Sequence, residues 1–297
     1  MHTFLNDSFL PAAAASLGVN DLAIQRGYGV FDFFKTIRGA PIFLDDHLDR
    51  FFHSSARMRL TPGKTREELK EIIAHLMRLN NLPDSGIRII LTGGYSTDSI
   101  TPGQPNLIII QHPMSPPAKD CPPPVRLISY PHQRQLPDVK TIDYLMAIHL
   151  QPNIRERGAF DVLYHHDGVI TECPRCNFFL VTADGTLVTP ARNMLKGITR
   201  NKVLELAAAS LAPDKGTILA PDKNKILAVE ERDVLLTEIP AAKEAFITST
   251  SRHIIPVSHI DDIPIGSATP NAAARATAGP VSTELNSGLY QLVSSTD

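Results

Sequence analysis

Between residues 45 and 60, Leu48, Phe51, Phe52 and Met58 recur among polar residues at the spacing of one helix face, so DDHLDRFFHSSARMRL is expected to form an amphipathic helix carrying Arg50. The pattern repeats from Thr65. Leu69, Ile72, Ile73, Leu76 and Leu79 follow a threonine cap with acids in the first turn, which predicts a second helix. The period then changes to short β-branched runs. IRIILT from Ile87 and NLIIIQH are expected strands, joined by the loop GGYSTDSITPGQ, whose glycine, serine and proline content predicts flexibility.

HPMSPPAKDCPPP interrupts the periodicity. Its prolines suit neither a helix interior nor a central strand, so residues 113–124 are expected to link a small N-terminal α+β domain, 1–112, to a larger C-terminal domain, 125–297. Beyond it, VRLISY reads as a strand and IDYLMAIHL as a helix. DVLYHHDGVITE and NFFLVTADGTLVTP read as hairpins turning at Asp167-Gly168 and Asp184-Gly185, which places Glu172 near a strand end. A helix is expected from Thr199 in ITRNKVLELAAASL, and AFITSTSRHIIPV reads as a strand running into a Ser/Thr-rich turn. The expected class is α+β in two lobes, without internal repeats.

At 297 residues the chain is long enough for two packed lobes. Lys+Arg 29 against Asp+Glu 31 gives a net charge of -2, with no electrostatic draw toward nucleic acid or an anionic membrane, so a small-molecule partner is expected. The start lacks a basic segment followed by a signal-like apolar stretch, and no run approaches the ~20 apolar residues that span a bilayer. A soluble, cytoplasmic protein is expected. Cys121, Cys173 and Cys176 cannot all pair, and the one Cys-x-x-Cys has no second half, so reduced thiols and no metal are expected.

Several residues have the chemistry of a site, although each also has an ordinary reading. Lys140, in LPDVKTIDYLMAI, stands between a proline turn and an apolar run, where desolvation favours a neutral, nucleophilic amine; most lysines are solvated surface charges. Glu172, in VITECPRCNFF, is either a catalytic carboxylate or a solvated edge acid. LKGITR sets Gly197, Ile198 and Thr199 at a helix start suited to an anion, or simply to a threonine cap. Thr248, Ser249 and Thr250 add hydroxyl and amide donors, and Arg50 a guanidinium suited to phosphate.

In this order, RGYGVFDFFKTIRG, DDHLDRF, the Lys140 segment, GVITECPRCNFFLV, LKGITR and FITSTSRHIIPV resemble the class IV aminotransferases, the fold-type IV pyridoxal-phosphate (PLP) enzymes, over most of the chain from Gln25 to Pro256. The family includes D-amino acid transaminases, branched-chain transaminases and aminodeoxychorismate lyases. The resemblance implies a small α+β lobe followed by a larger lobe with a barrel-like sheet. It implies PLP as cofactor, held by Lys140 as a Schiff base, with Glu172 at the pyridine nitrogen. Arg50, Ile198, Thr199, Ser249 and Thr250 would serve the phosphate. It further implies amino acid and 2-oxo acid substrates, ping-pong kinetics, and a homodimer whose sites borrow loops from the neighbouring subunit.

The substrate is less plainly written. Branched-chain members have Gly-x-Arg where this chain has Phe33 and Lys35, and the threonine usual in the lyases is absent beside Asp32 and Phe33. The better-known D-enzymes have a tyrosine where Phe31 stands, and their Arg-x-His pair is missing from residues 93–115, yet GVFDFFKTIRGAPIFLDDHLDR follows their spacing. Arg26 and Arg175 are the expected substitutes for binding substrate carboxylate, with structural salt bridging as the competing role. Phe31, Phe33 and Lys35 are expected beside the substrate. The leading expectation is a D-amino acid:2-oxoglutarate transaminase. The alternatives are a branched-chain L-enzyme, a lyase, or a non-catalytic protein of the same fold.

Overall fold

The computed structural model describes residues 1–211, 226–266 and 278–295, which fall into two units. The first comprises Met1–Pro116 together with Asp138–Tyr144. Its six strands are β1 (His2–Leu5), β2 (Ser8–Pro11), β3 (Gly29–Ile37), β4 (Ala40–Pro41), β5 (Ser85–Thr92) and β6 (Leu107–Pro113), in the antiparallel order β2-β1-β6-β5-β3-β4. Three helices accompany them: α1 (Leu22–Arg26), α2 (Leu44–Arg57) and α3 (Arg66–Asn80).

Alternation along β3 decides which residues meet the helices. Val30 and Phe34 join Ile87, Ile89, Leu91 and Ile109 on one face, packed against Leu48 and Phe51 of α2 and Leu69, Ile73 and Leu76 of α3. Phe31, Phe33 and Lys35 take the other face. The expected threonine cap of α3 is a full capping box, with Glu68 N donating to Thr65 Oγ1 and Thr65 N to Glu68 Oε2. The β5–β6 loop, expected to be flexible, is pinned by Asp98, whose carboxylate accepts from Ser96 Oγ, Ile100 N and both the N–H and hydroxyl of Thr101.

Asp138–Tyr144 differs most from expectation. IDYLMAIHL was expected to be one helix, but its first three residues stay outside the helix, which starts only at Leu145. Pairing with β3 outweighs helix propensity here: Phe31 N donates to Lys140 O at 3.0 Å, Ile142 N donates to Gly29 O at 3.1 Å, and Val139 is fully buried in the first unit's core.

The second unit comprises Pro117–Pro137 and Leu145–Ser295. Its strands are β7 (Val125–Pro131), β8 (Asp161–His166), β9 (Val169–Ile170), β10 (Glu172–Cys173), β11 (Cys176–Val181), β12 (Thr186–Pro190), β13 (Ala228–Arg232), β14 (Val234–Leu235), β15 (Glu244–Ser249), β16 (His253–Ile260) and β17 (Ile263–Pro264). Its helices are α4 (Leu145–His149), α5 (Gln151–Glu156), α6 (Ile198–Leu211) and α7 (Pro280–Ser294). The main path runs β13-β12-β11-β15-β16-β7-β8-β9-β14, with β10 on β11 and β17 on β16. Its two end strands, β13 and β14, are separated in sequence by Asp233 alone, so the sheet curls into a nearly closed, barrel-like form.

Both Asp-Gly hairpins form as expected, β8 with β9 and β11 with β12. Every residue of CNFFLV is buried, because both faces of β11 are covered. Phe178 and Leu180 pack with Leu127, Leu163 and Ile247, while Phe179 and Val181 pack against α6 and α7 through Val203, Leu206 and Leu285. Among the described residues, no helix is long and apolar enough to cross a membrane.

Candidate active site

In the first unit, β3 organises residues on both of its faces. Toward α2, the fully buried Asp32 accepts from Arg50 Nε at 2.8 Å and Arg50 Nη2 at 2.9 Å, and from His47 Nδ1 at 2.7 Å. His47 and Arg50 lie three residues apart on α2, hence on one face. Burial pushes the Asp32 carboxyl up, but the charge and hydrogen bonds of Arg50, with those of His47, outweigh it and hold the group far below the usual carboxylate range. His47 is shifted downward, chiefly by burial and against the pull of Asp32, and its Nδ1 faces a carboxylate oxygen, to which it donates. Arg50 Nη2 also lies 3.3 Å from His47 Nδ1, a contact of two donors that share Asp32.

Lys140 is held by its backbone. Its N–H donates to Ser54 Oγ of α2 at 3.1 Å, and its Nζ stands 4.7 Å from the centre of the Phe31 ring. Arg88 of β5 approaches the same ring, with Cζ at 5.6 Å, and Tyr144 flanks it. Phe33 stacks on His112 of β6 at 5.8 Å over Gly86, the partner of Lys35 across β3 and β5. Lys140, Phe31, Phe33 and Lys35 are therefore grouped around one strand, and Asp32 and Arg50 lie behind it.

Lys35 is 2% exposed, and burial lowers its pKa from 10.5 to about 7. Between those values the unfolded chain holds a proton that the folded chain lacks, so stability rises with pH across this window. The urea midpoint is expected to increase from pH 7 to about pH 9, and Lys35→Met to flatten that increase. A rise of equal slope in Lys35→Met would show that another group is responsible.

In the second unit, Glu172, Asn177 and Thr248 stand opposite one another on β10, β11 and β15, all buried and on one face. Arg134 clamps Glu172 Oε1 through Nε at 2.8 Å and Nη2 at 2.7 Å, while Leu195 N donates to Oε2 at 3.1 Å. Asn177 Nδ2 donates to Leu195 O at 2.7 Å, so one backbone residue is tied to two strands. Gly197 lets that loop come so near that a Cβ there would lie 2.1 Å from Asn177 Oδ1. Helix α6 begins directly afterwards at Ile198, one residue before the expected start, with Ile198 and Thr199 buried in its first turn. Ser249 and Thr250, both half-buried, follow Thr248 at the end of β15.

This donor set fits a phosphorylated, nitrogen-containing aromatic ring. The anionic Glu172 suits a ring N–H, the start of α6 and the neighbouring hydroxyls suit phosphate, and the buried Thr248 Oγ1 has no hydrogen-bond partner among the described residues. The two arginines expected at substrate lie in different settings. Arg26 is exposed at the end of α1, its Nη1 donating to Gln25 O. Arg175 occupies the β10–β11 turn, 63% exposed, with Nη2 3.6 Å from Asp161 Oδ2. Burial raises the Asp161 pKa, offset in part by Val162 N–H and Arg175.

The class IV amino-transferase family model matches residues 29–260. The chain belongs to the class IV aminotransferases. A protein of Methanocaldococcus jannaschii carrying the name of a branched-chain-amino-acid aminotransferase is 29% identical over 272 residues, 88% of each chain. A D-alanine aminotransferase of Bacillus licheniformis is 26% identical over 276 residues, 91% of this chain and 92% of that one. The fold matches a solved structure of the branched-chain amino acid aminotransferase from Escherichia coli, with a TM-score of 0.81 and 21% identity over 98% of this chain and 94% of that one. This class IV aminotransferase is a PLP-dependent enzyme acting on amino acids and 2-oxo acids.

Arg134, Asp32 and His47 were given no role by sequence reasoning. Arg134 lies six residues before Lys140, but its partner is 38 positions away and no local pattern joins them. His47 and Arg50 carried a usable signal, since two polar residues three apart on an amphipathic helix share a face with the buried Leu48–Phe51 side.

Proposed function

We propose that the chain is a D-amino acid:2-oxoglutarate aminotransferase in which Lys140 anchors PLP and Glu172 faces its ring nitrogen. Bound PLP supplies an electron sink for the charge left on the substrate α-carbon. With PLP bound, Lys140 would take the proton from that carbon and later return one, acting as general base and then general acid. Its backbone bonds to Ser54 and Phe31 fix the point from which the side chain swings. Arg134 fixes the Glu172 carboxylate through two bonds to Oε1, and that carboxylate would accept from a protonated ring nitrogen. Ile198, Thr199, Ser249, Thr250 and Arg50 bind the phosphate, and Phe31, Phe33 and Lys35 line the substrate side.

The observation carrying the D-assignment is the place of Arg175: an exposed guanidinium on the turn of the hairpin that begins at Glu172. Similarity to the D-alanine aminotransferase of B. licheniformis supports the same reading. Arg175 receives a substrate carboxylate, and the exposed Arg26 serves the site of the neighbouring subunit in a homodimer.

D-alanine with 2-oxoglutarate is expected to turn over, and turnover of L-leucine alone would overturn the D-assignment. Arg175→Ala is expected to raise KM for D-alanine roughly 10- to 100-fold, the size of one lost charged hydrogen-bonding partner, with a smaller change in kcat.

A further inference from the structure

We propose that Asp32 is a positioning residue for phosphate recognition: it locks the Nε–Nη2 side of Arg50, so that the opposite edge, carrying Nη1, is presented to the cofactor's phosphate. This rests on the reading that Arg50 binds that phosphate.

The case begins with burial. Asp32 is completely inaccessible on the helix-facing side of β3, and the Arg50 side chain is 10% exposed. An aspartate is placed between the buried Val30 and Phe34, where alternation calls for an apolar residue. Both carboxylate oxygens are engaged. Oδ2 takes Arg50 Nε, while Oδ1 takes Arg50 Nη2, His47 Nδ1 and the Phe33 N–H at 2.7 Å. Four donors from β3 and α2 thus fix the carboxylate, and the carboxylate fixes the guanidinium plane through two parallel bonds.

A guanidinium has five N–H groups, and the fork on Asp32 uses two of them. Those remaining are both hydrogens of Nη1 and the second hydrogen of Nη2; one hydrogen of each forms the planar Nη1–Nη2 edge matched to a phosphate oxygen pair, and the other Nη1 hydrogen points back toward Cδ. An unclamped arginine would lose rotamer entropy on binding and would meet the anion in many orientations. His47 strengthens the lock, because its Nδ1 donates to the same Oδ1 that takes Arg50 Nη2 and so resists rotation of the carboxylate. The same strand carries Phe31 under Lys140 Nζ, so a shift of Asp32 along β3 would disturb both ends of the cofactor's anchorage.

A purely structural ion pair between β3 and α2 would change stability without discriminating among ligands. The test therefore compares PLP with pyridoxal, which has the same ring and aldehyde but no phosphate. The full-length chain freed of cofactor is titrated with each, and binding is followed by the visible absorbance of the lysine-bound chromophore. Asp32→Asn is expected to reduce the preference for PLP over pyridoxal on the order of 10-fold, the loss typical when a partner orienting a binding side chain is removed, while pyridoxal affinity is nearly unchanged. Arg50→Met is expected to reduce the preference at least as far, and the double variant no further than Arg50→Met.

A wild-type preference in Asp32→Asn, or equal weakening of both ligands, would overturn the proposal and leave the role of Arg50 standing. A wild-type preference in Arg50→Met would overturn both. If Asp32→Asn does not fold, Asp32→Glu replaces it, keeping the charge and displacing the fork by one methylene, with the same two outcomes.

Discussion

Lys140→Ala is expected to abolish the visible absorbance acquired with PLP and to lower kcat by about 10⁴-fold or more, since one residue serves as covalent anchor and proton carrier. Lys140→Arg is expected to lose as much, because a guanidinium at that place neither bonds covalently to the cofactor nor gives up its proton. Neither change should unfold the protein. The segment is held by Lys140 N–H on Ser54 Oγ, by Phe31 N–H on Lys140 O and by the buried Val139, all independent of the Lys140 side chain. Single-turnover kinetics with D-alanine, with a circular dichroism melt as control, checks this. A variant retaining more than a few per cent of the wild-type rate would mean that another amine carries the proton.

Local chemistry was legible where it acts within a few residues. The Thr65 cap and the Asp167-Gly168 and Asp184-Gly185 turns are short-range signals, and each forms as read. Residues 142–150 misled because their apolar spacing suits a helix, whereas the free edge of β3 pairs with Lys140, Thr141 and Ile142 and delays the helix to Leu145. The hairpin of β1 and β2 and the helix α7 were not read at all. The former has only four residues per strand, and α7 is docked by Glu244, whose two oxygens accept from Val281 N and Ser282 N, about 37 positions away in sequence.

The candidate site was legible as an ordered set of motifs and illegible as a set of contacts. Arg50 stood out as a cation on an expected helix, but its partner Asp32 drew notice only as the residue standing where the lyases carry a threonine. Arg134 and Glu172 belong to segments on either side of α4 and α5, so only the folded sheet brings them together. Roles that depend on a partner fixed by topology leave no trace in residue type, and second partners such as Ser54, Leu195 and Asn177 are of this kind.

Glu172→Gln is expected to reduce kcat on the order of 10²–10³-fold, the loss that follows removal of one preorganised charge from a reacting centre. The amide keeps the shape and accepts from Leu195 N–H, but it cannot hold a proton on the ring nitrogen, so the electron sink is weakened in the step where charge develops on the α-carbon. The change also strands Arg134, whose side chain is 19% exposed and whose two bonds to Oε1 are charge-assisted in the native site. Breaking one side of a fully buried pair costs about 3–5 kcal/mol, and the partial exposure of Arg134 should bring the penalty below that range. These two effects separate in the double variant Arg134→Met/Glu172→Gln. Removing both charges relieves the stranded cation, so the melting temperature should recover toward wild type while kcat stays at the level of Glu172→Gln. Recovery of kcat along with stability would show that Glu172 matters for folding alone, and that the ring nitrogen takes its proton from elsewhere.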